Sequence, residues 1–277
     1  MMDELSVTRA TGTYLSAAVL GVAVALVLGF AGGVVASPDL LPSAAQLDEP
    51  TPPGPDADGD LLPDEWERAG ETPGGTLLPG ADPHHKDLYV QFVYGSNVDT
   101  FSERELDELR RIWAEMPVAN PDGETGIRLH VVPGRRLAEP VALGQVNASE
   151  VRERYTRDQM DSGFCTYYGV TVATMDTTEK VGYGDAPGYA SVVHRDTPWY
   201  AHGGSGVMGV VTHELLHNVV GQVDGDAHTE RGWLAAESDG PRDFLSTPTV
   251  TALNERGFAY PEAGHGYYLD LCDGVSR

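Results

Sequence analysis

The 277-residue chain carries 42 acidic and 18 basic side chains, giving a net charge of −24 and a sequence pI near 4.5. Its only lysines are Lys86 and Lys180, and no basic stripe is present, which excludes nucleic acid as a partner because phosphate backbones demand clustered positive charge. Such a surface repels itself in dilute buffer, whereas molar salt cuts the Debye length to about 3 Å, so the composition predicts a salt-adapted, halophilic protein.

The first predicted element spans residues 15–36. From Ala17 to Ala36 no side chain is charged, which matches the roughly twenty residues a helix needs to cross a bilayer. Arg9 before the segment and acidic residues after it favour an inside N-terminus. Residues 1–36 therefore read as a signal peptide cleaved after Val34-Val35-Ala36, or as an uncleaved anchor holding the protein to a membrane. Either reading places the remainder outside the cytoplasm, extracellular or on the cell surface. Residues 37–55 carry six prolines and no apolar periodicity, as expected of an extended linker.

Residues 56–83 open with Asp56-Ala57-Asp58-Gly59-Asp60-Leu61-Leu62-Pro63-Asp64-Glu65-Trp66-Glu67. Counting Asp56 as position 1, carboxylates fall at 1 (Asp56), 3 (Asp58), 5 (Asp60), 9 (Asp64) and 12 (Glu67), with the carbonyl of Leu62 at 7. This is the spacing of an EF-hand loop, in which oxygen ligands wrap Ca2+ and a bidentate glutamate closes the shell. Leu61 stands at position 6, where such loops carry glycine.

A globular domain is expected over residues 84–277. Lys86–Tyr94 alternates as a strand. Ser102 and Glu105 form a capping box that opens a helix through Leu106, Leu109, Ile112 and Trp113 toward Pro117. Ile127–Val132 is a second strand ended by Pro133-Gly134, with further strands at Tyr167–Thr174 and Tyr189–Val193 and a last helix at Thr247–Glu255.

Between those last elements lies His213-Glu214-Leu215-Leu216-His217 in an apolar run that Gly221 stops. Residues four apart share one face of a helix, so both imidazoles can reach one zinc ion, and Glu214 projects beside it as a general base. Burying two histidines and a glutamate in so apolar a helix is costly without a partner, and a metal supplies one. A third ligand is needed. His228 is preferred, because neutral imidazole suits zinc and Asp224-Gly225-Asp226 can turn the chain back toward the metal; Asp224 and Glu237 are the alternatives. His194, His202 and His265 are expected to be surface or structural histidines.

Asp56–Glu67, the run Ala81-Asp82-Pro83-His84-His85-Lys86-Asp87-Leu88-Tyr89-Val90, Asn120-Pro121-Asp122-Gly123, Gly126–His130 and the zinc helix together resemble secreted zincin-type, metzincin-like zinc metalloproteases with a calcium loop before the catalytic domain. With the acidic composition, the resemblance is to haloarchaeal members. The metzincin glycine follows the second histidine by three residues, whereas here Gly221 follows His217 by four. The resemblance implies an α+β, zincin-like fold: a twisted mixed β-sheet with the active-site helix beneath it, an irregular C-terminal part and a substrate cleft along an edge strand. It implies a zinc-dependent extracytoplasmic endopeptidase acting on protein or peptide substrates. The alternative is a non-catalytic, calcium-stabilised surface or binding module with a structural or inactive zinc site. Cys165 and Cys272 are the only cysteines, and a disulfide between them would constrain the unfolded chain by about 4–5 kcal/mol on the chain-entropy model.

Overall fold

The computed structural model describes residues 54–144, 147–175, 181–196, 206–235 and 244–261. The expected membrane segment, most of the linker, Glu237 and Cys272 lie outside these residues. Among the described residues no helix is long and apolar enough to cross a membrane. Cys165 is disulfide-bonded.

β1 (Asp87–Tyr94) runs through the sheet with parallel neighbours on both sides, β2 (Arg128–Arg136) and β4 (Tyr168–Met175). β6 (Ala190–His194) follows in parallel beyond β4, and β5 (Gly182–Gly184) closes the sheet in the antiparallel sense, giving the order β2-β1-β4-β6-β5. A two-residue strand, β3 (Ala142–Leu143), also pairs with β4. Parallel strands buried on both faces need apolar residues throughout, and β1 is buried at every position except Gln91.

Each face of the sheet has its own cover. Leu88, Val90, Phe92 and Tyr94 pack with α2 (Glu103–Ala114) and α5 (Gly206–Val220), whereas Val93, Ala173 and Val192 join Val151 and Tyr155 on the opposite side. Those last two belong to a helical stretch: α3 (Ala148–Glu150), a π-helical turn over Val151–Arg157, and α4 (Asp158–Met160). Tyr89 faces a third cluster with Leu62, Trp66 and Leu78, which anchors the N-terminal loop and α1 (Asp64–Ala69) to β1. α5 is buried on all sides from Val207 to Val220, as its uniformly apolar sequence requires. α6 (Thr247–Arg256) begins at a Ser246 cap with Pro248 in its first turn.

Most expected elements begin within a residue of those observed, but α2 stops at Ala114, three residues short of Pro117. Ser102 and Glu105 form both bonds of the capping box. β2, by contrast, continues through Pro133-Gly134 to Arg136. Proline is tolerated there because β2 lies at the sheet's edge, where its missing N–H costs no ladder bond, and the register slips between Gln91 and Val93. β5 and the helical stretch at 148–160 add to the elements expected from periodicity.

Candidate metal centres

α5 presents His213, Glu214 and His217 in sequence, all buried. One helical turn separates the two histidines, and their Nε2 atoms face each other at 3.0 Å. Two nitrogens bound at 2.0–2.1 Å to one tetrahedral ion stand about 3.3–3.4 Å apart, so the pair is close to a ligating separation. The Nδ1 atom of His213 lies 2.6 Å from the carbonyl of Trp233, a backbone acceptor that leaves Nε2 with its lone pair directed at His217. Burial, reinforced by His213 and His228, drives the His217 pKa down to about 2. His217 is thus neutral near pH 7, the form a metal needs.

The chain brings His228 to the same place. α5 ends at Gly221, whose positive φ of 66° turns the chain out of the helix. Val223 and Asp226 then exchange backbone hydrogen bonds across a tight turn in which Asp224 and Gly225 both have positive φ, 54° and 85°. Asp226 accepts the backbone N–H of His228 at 3.0 Å. The result is a group of three, His213, His217 and His228, whose ligand nitrogens all lie within 4.8 Å of one another. Asp224 occupies the turn itself and is not part of that group.

Glu214 is covered by β5. A Cβ on Gly182 would come within 2.8 Å of Glu214 Cδ and closer still to Oε1, while one on Gly184 would overlap the Glu214 carbonyl. Two glycines therefore let the edge strand's backbone lie directly on the helix. Asn218, one residue past His217, fastens the contact: its Nδ2 donates to the carbonyls of Asp185 and Ala190 at 2.9 and 3.2 Å, and its Oδ1 accepts from Ser191 Oγ at 2.7 Å. Asp185 is in turn gripped by Arg152 in a bidentate pair at 2.7 and 2.6 Å.

A second centre forms at the N-terminal loop. Asp56, Asp58 and Asp60 bring carboxylate oxygens within 4.8 Å of one another, and so do Asp60, Glu67 and Asp87. Asp56 also accepts the N–H groups of Gly59 and Leu61 at 2.8 and 3.0 Å, which curls the loop around its own carboxylates. Leu61 adopts φ 73°, the left-handed conformation that glycine ordinarily supplies at position 6. Asp64 points elsewhere, accepting from Ala57 N–H at 2.8 Å and from Arg68 at 2.9 Å. Both carboxylate oxygens of Glu67 and Oδ2 of Asp58 are buried without hydrogen-bond partners. Burial and the surrounding carboxylates raise Glu67 to about 9 and Asp58 to about 7, and push Asp60 upward as well. A cluster of orphaned, mutually repelling oxygens fits a hard cation such as Ca2+.

Sequence reasoning missed Asp87, the Trp233 carbonyl, and the two glycines over Glu214. Asp87 had no short-range signal, because it reaches the loop only through folding.

No family model matches the chain, and no curated protein matches it. Among solved structures, mature mirolysin of Tannerella forsythia in complex with a cleaved peptide is similar with a TM-score of 0.39 and 10% identity, covering 70% of this chain and 98% of that one. A chaperone–substrate complex is similar with a TM-score of 0.40 and 9% identity over 70% of this chain, which spans 35% of the length of that one.

Proposed function

We propose that the domain is a zinc-dependent endopeptidase of zincin type, acting outside the cytoplasm and stabilised by calcium at the Asp56–Glu67 loop. The observation that carries this reading is the convergence of three imidazoles from α5 and the following turn beside the buried Glu214. Among the described residues the group numbers three, the complement that leaves a tetrahedral ion one open position.

His213, His217 and His228 would hold the ion, with His213 oriented by the Trp233 carbonyl. When bound, zinc supplies a Lewis acid for the scissile carbonyl and eases the deprotonation of water near neutral pH. Glu214 takes that proton on its carboxylate and delivers it to the departing nitrogen, so the residue acts first as base and then as acid. β5 is the antiparallel end of the sheet and overlies Glu214; an extended peptide laid alongside it would have its backbone within reach of the base. Residues 1–36 supply export or anchoring in this reading, and the acidic composition supplies tolerance of high salt.

The test uses the purified protein with zinc, calcium and molar salt against a panel of unfolded proteins and peptides. Cleavage is expected, and Glu214→Gln should retain zinc while losing hydrolysis by orders of magnitude. If the wild type cleaves nothing while retaining stoichiometric zinc, the domain is a calcium-stabilised binding module with a structural zinc site.

A further inference from the structure

The orphaned oxygens of Glu67 face a residue that does not belong to the loop. Asp87 is the first residue of β1, its side chain is fully buried, and it joins Asp60 and Glu67 in a group of carboxylates within 4.8 Å. Asp87 is held for this task from three directions. Its Oδ1 lies 2.5 Å from Nε2 of His130, its Oδ2 accepts the N–H of Asp82 at 2.8 Å, and its own N–H donates to Asp60 Oδ2 at 2.7 Å. Each oxygen keeps a further lone pair. Ring stacking between Tyr89 and His130, with centroids 4.4 Å apart, fixes the imidazole that orients the carboxylate.

The loop position expected to contribute the ninth-residue oxygen is occupied elsewhere, since Asp64 is committed to Ala57 and Arg68. Glu67 is only 4% exposed, and neither of its carboxylate oxygens has a hydrogen-bond partner. Three carboxylates at this spacing match oxygen ligands that each stand 2.3–2.6 Å from one calcium ion. We propose that Asp87 is a calcium ligand supplied by the sheet, so that the cation bridges Asp60 and Glu67 of the loop to the first residue of β1. Resting on the reading of Asp56–Glu67 as a calcium loop, the inference adds a ligand 20 residues beyond Glu67 and assigns His130 as the residue that positions it.

The consequence is mechanical. In an EF-hand the ion closes one loop on itself, whereas here it would cross-link two parts of the chain beside the cluster in which Leu62, Trp66 and Leu78 pack on Tyr89.

The experiment is a calorimetric titration of the full chain with calcium chloride, comparing the wild type with Asp87→Asn, Asp64→Asn and His130→Gln. Terbium emission excited through Trp66 serves as a second readout of ion binding, and melting in chelator verifies that each variant folds. Asp87→Asn should weaken calcium at least tenfold and lower terbium emission in step. Asp64→Asn, which leaves the Asp87 carboxylate and its partners in place, should stay within about threefold of the wild type, whereas His130→Gln, which removes the imidazole that orients Asp87, should weaken calcium by a smaller factor than Asp87→Asn. A wild type that binds calcium and an Asp87→Asn variant that binds it equally well would overturn the assignment, as would an equal loss in Asp64→Asn. A wild type with no calcium binding would overturn the loop reading itself.

Discussion

Gly182 and Glu214 are in such close contact that no side chain can be inserted between them: the edge strand lies on the helix at the residue that would act as base. Gly182→Ala must therefore move either β5 or the Glu214 carboxylate. Overpacking of this kind costs about 1–3 kcal/mol. If the cost falls on the position of Glu214, kcat should drop ten- to hundredfold while zinc content stays at one per chain. A variant with unchanged kcat would show that the carboxylate does not work from beneath β5.

The third ligand can be ranked directly. His228→Ala should lose most bound zinc and all hydrolysis, because two histidines leave the ion under-coordinated. Asp224→Ala should keep its zinc, since Asp224 serves the turn, although losing a residue suited to φ 54° should lower the melting temperature modestly. Zinc retained in the histidine variant and lost in the aspartate variant would point to an aspartate-type site. Glu237→Ala belongs in the same series, as the expected alternative outside the described residues.

Calcium-free protein should lose stability as pH rises. Glu67 has an ordinary pKa of 4.5 and is raised to about 9 in the fold by burial, then by Asp58, Asp87 and Asp56. Between those values the folded state binds more protons than the unfolded one, so unfolding free energy falls with pH across the window and is greatest below it. Asp58 adds the same sign up to about 7. His217 acts oppositely, costing stability only below its ordinary 6.5, so melting between pH 7 and 9 leaves its contribution out. The melting temperature in chelator should decline over that range, less so in Glu67→Gln, and excess calcium should abolish the decline. A flat curve in chelator would contradict the buried, unpartnered state of Glu67.

Salt should stabilise the whole domain. With a net charge of −24, raising potassium chloride from low to molar concentration screens repulsion that the fold otherwise bears. The midpoint of thermal unfolding should climb across that range with calcium held saturating. Superimposable melts would remove salt adaptation from the interpretation of the composition.

Local signals were legible and long-range ones were not. The capping box at Ser102, the apolar run of α5 and the Asp224-Gly225 reversal each depend on residues close in sequence, and periodicity or turn chemistry exposes them. The arrival of His228 beside His213 and His217 follows from such a turn. Asp87 was hidden because its significance comes from contact with Glu67 across a fold, and β5 because three residues, two of them glycine, carry no alternation. The carbonyl of Trp233 has no residue signature whatever. Leu61 shows the converse: the loop's demand was for a conformation, and a leucine meets it.

Gly59 accepts the backbone N–H of Phe258 at 2.7 Å, and the next residue, Ala259, donates to the carbonyl of Val219 at 2.6 Å, one residue before the end of α5. Two adjacent amides thus span from the loop to the helix that bears His213 and His217. An excised fragment starting at β1 would strip Phe258 of its acceptor and bare one side of the segment that secures the helix terminus. A truncation that preserves this brace between the loop and the end of α5 keeps the residues from Asp56 onward.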